Sequence, residues 1–152
     1  NCLYMGNIDS ERDWGHARDY VYMQWLMLQA DTPEDYVIAT GKKYSVRNFI
    51  EVSLGLVGIS LEWQGIGVDE VGIVKSVSGS SIADQFELDL TSLIGKEIIR
   101  IDPYYFRPTE VDVLIGDAAK ARKNLDWKPS ISFPDLVEEM MIADLEIQND
   151  LL

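Results

Sequence analysis

A chain of 152 residues that is 47% hydrophobic can bury one sizeable core, so a single compact domain is the expectation. Thirteen basic against twenty-six acidic residues give a formal charge of -13, which repels phosphate polymers and anionic surfaces at long range. Nucleic acid and membrane are therefore excluded as expected partners, whereas a small phosphate ligand held by a few well-placed arginines is not.

Cys2 is the only cysteine, so no intrachain disulfide can form and a cytoplasmic setting is the expectation. No apolar run approaches the roughly 20 residues of a membrane-spanning helix, and the start carries no basic-then-apolar signal pattern. The chain begins at Asn1 and enters a helical pattern almost at once, which reads as a piece of something longer.

In chain order, the first periodic signal is Trp14, Ala17, Val21, Trp25 and Leu28, at spacings of three or four. It predicts a helix from about Trp14 to Ala30 with these residues on one apolar face. Pro33 lacks an amide proton and restricts Thr32, so the helix stops before them, and Tyr36-Val37-Ile38-Ala39 reads as a short strand. Ser45 is placed to cap a second helix whose apolar face is Val46, Phe49, Ile50, Leu54 and Val57, and Gly58 suits the left-handed residue just past its end. From Ile59 the texture becomes extended: Ser60 to Gln64, Val71 to Val77 and Glu97 to Ile101 are rich in β-branched and aromatic residues. Ser78 to Ser81 and then Ile82 to Lys96 read as a loop or irregular excursion. Asp117 is placed to cap a short helix carrying Ala118, Ala121 and Leu125, which Trp127-Lys128-Pro129 ends. A last helix from about Pro134 shows Leu136, Val137, Met140 and Ile147 on one side. Alternating helix and strand without repeats predicts a small mixed α/β layer structure.

Two segments carry candidate chemistry. In Arg12-Asp13-Trp14-Gly15-His16-Ala17 an arginine stands at a loop-to-helix junction, where its planar fork could donate paired hydrogen bonds to a diphosphate. On local sequence alone, a surface arginine paired with Asp13 or Asp9 is the favoured reading. In Asp102-Pro103-Tyr104-Tyr105-Phe106-Arg107-Pro108-Thr109-Glu110 the aromatic bulk could wall a pocket, and the Glu110 carboxylate could accept from a ribose diol. A packed aromatic turn with a salt bridge accounts for the same residues equally well.

Other features read more plainly. His16 is the only histidine; one His with one Cys cannot supply the usual zinc sets, so it reads as a packed, hydrogen-bonded residue, with no metal implied. Gly65-Ile66-Gly67 lacks the third glycine of a dinucleotide fingerprint, since Glu70 stands there. Glu138, Glu139, Asp144 and Glu146 read as a solvated helix face.

Gly6-Asn7-Ile8-Asp9, Arg12 to Ala17, Ala39-Thr40-Gly41, Tyr44-Ser45-Val46-Arg47, Phe106 to Glu110 and Leu125-Asp126-Trp127-Lys128-Pro129 together resemble the second half of GDP-mannose 4,6-dehydratases. The resemblance covers nearly the whole chain in the family's order. Arg-Asp-aromatic recurs throughout the extended short-chain dehydrogenase/reductases, while Gly-His-Ala and Tyr-Phe-Arg-Pro-x-Glu narrow the match. The stretch from Ser76 to Lys96 departs from the family pattern.

What the resemblance implies is a substrate-binding lobe that closes over GDP-mannose while a Rossmann lobe holds NADP. By that likeness Arg12 and Arg107 would grip the diphosphate, Glu110 would hold the ribose hydroxyls, and Met5 and Gly6 would lie beside the guanine. The family oxidises the sugar at C4, eliminates water across C5 and C6 and returns the hydride to C6, giving GDP-4-keto-6-deoxy-mannose for fucose and related deoxysugars. Family members associate, so a homo-oligomeric parent is implied. The family's glycine-rich loop, Thr and Glu are absent here, and none of the seven tyrosines has a lysine four residues on. The expectation is a carboxy-terminal, nucleotide-sugar-binding part, over residues 1 to 152, without catalytic or NADP-binding residues of its own. A GDP-6-deoxy-mannose reductase lobe, a nucleotide-sugar epimerase lobe or a non-catalytic binding module are the alternatives.

Overall fold

The computed structural model describes residues 2–150. In chain order its elements are β1 (Leu3–Met5), β2 (Glu11–Arg12), α1 (Ala17–Gln29), β3 (Tyr44–Ser45), α2 (Val46–Leu56), β4 (Ile59–Gln64), β5 (Val71–Val77), α3 (Ser81–Gln85), β6 (Glu97–Ile101), β7 (Val113–Leu114), α4 (Ala119–Leu125) and α5 (Phe133–Asp150). The mixed α/β class expected from sequence is the one observed.

Two small sheets organise the chain. The larger has the order β1-β6-β5-β4, antiparallel except where β1 runs parallel to β6 with Met5 opposite Ile101. The smaller has the order β3-β2-β7, with Arg12 opposite Tyr44 on one side and Leu114 on the other. The parallel pairings matter for function, because they bring residues 3–12 against residues 99–114. The three longer strands match the sequence expectation. β1 was not expected: three residues are too few to show alternation, and its partner lies far downstream.

α2 forms as predicted and for the predicted reason. The Ser45 hydroxyl accepts from the Asn48 amide while the Asn48 side chain accepts from the Ser45 amide, a reciprocal cap. Its inward residues Ile50 and Leu54 pack between Ile8 and Ile99 on one side and Val57, Ile59 and Val74 on the other. Gly58 takes φ +81°. Gly65 and Gly67, both at positive φ, form the turn that joins β4 to β5, with a single 3-10 turn at Gly67–Asp69. This is a hairpin connection between antiparallel strands.

α1 departs from expectation. It begins at Ala17, and the stripe Val21, Trp25 and Leu28 points outward, with Leu28 82% exposed, while Met23 is fully buried. The helix rotation is set by a polar residue. Buried Asp19 accepts the Ser130 and Ile131 amides and the Ser130 hydroxyl, and the Trp127 indole donates to the Asp19 carbonyl at 3.1 Å. Met23 therefore faces Ala118, Ala121 and Trp127, forming a third core cluster. Hydrophobic periodicity found a helix but not its inward face.

Three further differences follow. Tyr36 to Ala39 joins neither sheet among the described residues; Tyr36 and Ile38 turn toward the third cluster and Val37 is exposed, but Ala39 is buried, so the alternation covers only the first three residues and has no ladder partner. The inward side of α5 is Val137, Met141 and Leu145, and Met140 and Ile147 are exposed. The excursion after β5 contains α3, capped by the Ser80 hydroxyl, which accepts from the Ile82 and Ala83 amides. Asp117 does accept the Ala119 amide, one residue earlier than a regular cap.

Candidate functional site

The parallel pairings place the end of β1, β2 and the turn after β6 side by side, and all five nominated residues lie there. Met5 ends β1, and its carbonyl accepts the Asp102 amide at 2.9 Å, which extends the pairing one step into the turn. The Asp102 side chain accepts the Tyr104 amide, and its carbonyl accepts from Tyr105 and Phe106, so residues 102–106 coil into a compact turn. Gly6 lies flush against that turn: a Cβ there would collide with the Tyr105 carbonyl oxygen.

Arg12 and Glu110 form an ion pair at 2.6 Å. The arginine's Nη1 also donates at 2.8 Å to the carbonyls of Glu11 and Val111. Most of its fork is thus committed to protein oxygens, and it holds Glu110 in place. Neither Asp13 nor Asp9, its sequence neighbours, is its partner. Asp9 pairs instead with Arg47, and Asp13 accepts from the Thr40 hydroxyl and the amides of Thr40, Gly41 and Gly116. Burial raises the Asp13 carboxyl, but these four bonds outweigh it and hold the group below its ordinary value.

Arg107 is placed differently. Its side chain is 79% exposed, with the Glu110 carboxylate 4.0 Å away. Its backbone is held firmly: the Arg107 amide donates to Asn7 Oδ1 at 2.8 Å, and Asn7 Nδ2 donates to the Arg107 carbonyl at 2.9 Å. The same carbonyl accepts the Glu110 amide. The site therefore presents one anchored guanidinium, one guanidinium free to close on an anion, and a carboxylate between them.

A cleft of about 390 Å³ adjoins this cluster, lined among others by Gly6, Asn7, Asp9, Glu70, Phe106 and Asp112. Of the five nominated residues, only Gly6 lines it. Its acidic walls, Asp9, Glu70 and Asp112 among them, disfavour an anion inside the cleft. One wall is braced by Arg47, whose fork reaches both Asp9 and Glu70 and whose guanidinium lies 4.5 Å from the Trp63 ring centroid. Hydrogen bonds donated by Arg47 to the Asp9 carboxylate raise the Arg47 pKa, and the same bonds lower that of Asp9.

Asn7 and the Arg47 brace were not singled out from sequence. Asn7 lay inside a noted motif, but nothing local signals that it grips a backbone 100 residues away. His16 is a packed, hydrogen-bonded residue as expected: Nδ1 accepts the Arg18 amide and caps α1, and Nε2 lies 3.3 Å from Glu139. Glu139 is solvated, yet it also pairs with Arg18.

A family model described as GDP-mannose 4,6 dehydratase matches residues 1–140. The GDP-mannose 4,6-dehydratase of Vibrio cholerae is 50% identical over 146 residues, covering 96% of this chain and 37% of that protein. The Homo sapiens GDP-mannose 4,6 dehydratase is 46% identical over 96% of this chain and 35% of its own length. Among solved structures, UDP-glucose 4-epimerase from Bifidobacterium longum in complex with NAD+ and UDP superposes with a TM-score of 0.62 at 17% identity, over 98% of this chain and 36% of that one. RMD from Pseudomonas aeruginosa complexed with NADPH gives 0.60 at 19% identity, over 96% and 36%. These two likenesses concern the fold. The chain thus spans little more than a third of the length of its curated relatives, and on the family match and the near-50% identities it belongs to the GDP-mannose 4,6-dehydratase family.

Proposed function

We propose that this chain is the carboxy-terminal, nucleotide-sugar-binding part of a GDP-mannose 4,6-dehydratase, a lyase whose amino-terminal Rossmann part binds NADP and performs the chemistry. The observation that carries the proposal is the convergence of Arg12 with Arg107 and Glu110, which lie far along the sequence from it, beside the end of β1 in a chain of this family. In the proposed complex Arg107 closes on the diphosphate of GDP-mannose, Arg12 supplies its remaining donors there, and Glu110 accepts from the ribose hydroxyls. Met5 and Gly6 border the guanine. The chain by itself carries no catalytic residue, and the cofactor is held elsewhere in the protein. The solved neighbours with bound NADPH or NAD+ support a nicotinamide cofactor, and the family match favours NADP.

The partner is the amino-terminal part of the same protein, with association of whole copies beyond it. The outward stripe of α1 supports this reading: Val21, Tyr22, Trp25 and Leu28 are all more than half exposed, an apolar face that burial would stabilise. A cytoplasmic setting suits the lone, unpaired Cys2.

The test is GDP binding by calorimetry in the full-length protein. Arg107→Lys keeps the charge and loses the fork, so it weakens GDP and GDP-mannose in parallel. Arg107→Ala weakens both further, by about tenfold to a hundredfold, the range for losing charge-assisted hydrogen bonds. Guanosine, which has no phosphate, and NADP are nearly indifferent. Unchanged GDP affinity in a folded Arg107→Ala protein removes the diphosphate from this place.

A further inference from the structure

We infer that Asn7 is a positioning residue for the diphosphate grip, setting where the Arg107 guanidinium starts from; the inference rests on the function proposed above. The reason lies in how little else holds Arg107. Its side chain is 79% exposed, and its nearest acid stands 4.0 Å off, so no side-chain contact fixes the guanidinium before a ligand arrives. What is fixed is the backbone, and one side chain fixes both of its polar groups. The Asn7 amide accepts from the Arg107 N–H and donates to the Arg107 C=O, a two-point clamp across 100 residues of sequence.

Only an amide of this length does both jobs. Aspartate accepts but cannot donate when ionised, and its charge would face the Arg107 carbonyl; alanine does neither; glutamine carries an extra methylene into a gap already closed at 2.8 and 2.9 Å. The close fit is independently visible one residue earlier, where the Gly6 backbone lies so near the Tyr105 carbonyl that a side chain has no room. The clamp reaches further than Arg107. The Arg107 carbonyl also receives the Glu110 amide, and Glu110 is the partner of Arg12. Releasing Asn7 therefore loosens Arg107 directly and Glu110 at one remove, while Arg12 stays tied to the carbonyls of Glu11 and Val111.

A loosened arginine costs affinity because it must be ordered when the ligand binds. The experiment is a double-mutant cycle in the full-length protein, reading GDP affinity by calorimetry, KM and kcat with GDP-mannose, and NADP affinity as a check on the fold. Asn7→Asp is expected to weaken GDP about three- to tenfold, the equivalent of roughly one lost hydrogen bond, with the loss falling on KM more than on kcat. In the Arg107→Ala background the same change adds less than about twofold, because the group it positions is gone. Asn7→Ser, which keeps a short hydroxyl, carries the test if Asn7→Asp does not fold, with the same non-additivity expected. Unchanged GDP affinity in the Asn7 variants beside a weakened Arg107→Ala overturns the positioning role and leaves the site standing. Full additivity also overturns it, since Asn7 would then act on something other than Arg107. Unchanged GDP affinity in Arg107→Ala overturns the site itself and this inference with it.

Discussion

Asp19 shows how one buried polar residue governs its surroundings. Burial pushes its carboxyl upward, but the Ser130 hydroxyl, the amides of Ile131 and Ser130 and the nearby His16 outweigh that and hold it below the ordinary aspartate value. A depressed folded-state pKa contributes stability in full above the unfolded value of about 3.9, and that stability is lost as pH falls through the folded value. Thermal melts should therefore decline as pH drops below about 4. Asp19→Asn turns an amide N–H2 toward groups that themselves donate, so it should cost about 2–3 kcal/mol at neutral pH, with the gap to wild type narrowing in acid. Parallel curves for the two proteins would assign the titration to another group. Little of this was legible in the sequence, where Asp19 is one charge among many. Arg12, Arg107 and Glu110 stood out as candidates, an arginine at a helix junction and another beside a proline, but local sequence left a plain salt bridge as good a reading, and what the structure adds is that the three side chains come together. The sequence could not expose which of the two arginines is already spent on protein oxygens, since Glu110 and Val111 reach Arg12 only through the parallel pairing of β2 with β7.

Elements whose signals are local were legible. The Ser45 cap, the glycine after α2 and the three longer strands each depend on neighbours within a few residues. Two glycines of the α2 region make this testable with opposite signs. Gly55 sits on the exposed side of the helix, and a Cβ added there would meet nothing within 4 Å, so Gly55→Ala should stabilise by about 0.5–1 kcal/mol. Gly58 takes φ +81°, and a Cβ there would run into the Ser78 carbonyl, so Gly58→Ala should destabilise by about 2 kcal/mol or more. Chemical denaturation of the two variants reads both; a stable Gly58→Ala would mean that the turn into β4 can rearrange. Elements with distant causes were not legible. The rotation of α1 is decided by Ser130 and Ile131, far along the chain, so its own periodicity pointed to the wrong face. Tyr36 to Ala39 has the composition of a strand, and a strand is completed only by a partner beside it. The inward side of α5 was misjudged because Met140 and Met141 are equivalent by composition and differ only in which way the helix faces α2.

At the scale of the molecule, the site is a junction between two segments about 100 residues apart. Arg12 and Glu110 are 98 residues apart, and the Asn7 clamp joins positions 100 apart. Closing such a span costs chain entropy before it returns any contact, so these pairings are the slow ones to form, whereas α2 and the β4–β5 hairpin can organise from near neighbours. A ligand that touches both Arg12 and Arg107 can recognise only a chain that has already closed. Bound GDP should accordingly slow unfolding of the full-length protein while leaving its refolding rate nearly unchanged, a pattern that stopped-flow measurements with and without GDP would resolve. Faster refolding with GDP would mean that the two segments meet early. If they meet late, the nucleotide acts as a latch on a finished molecule, and the lifetime of the folded protein rises and falls with the nucleotide supply around it.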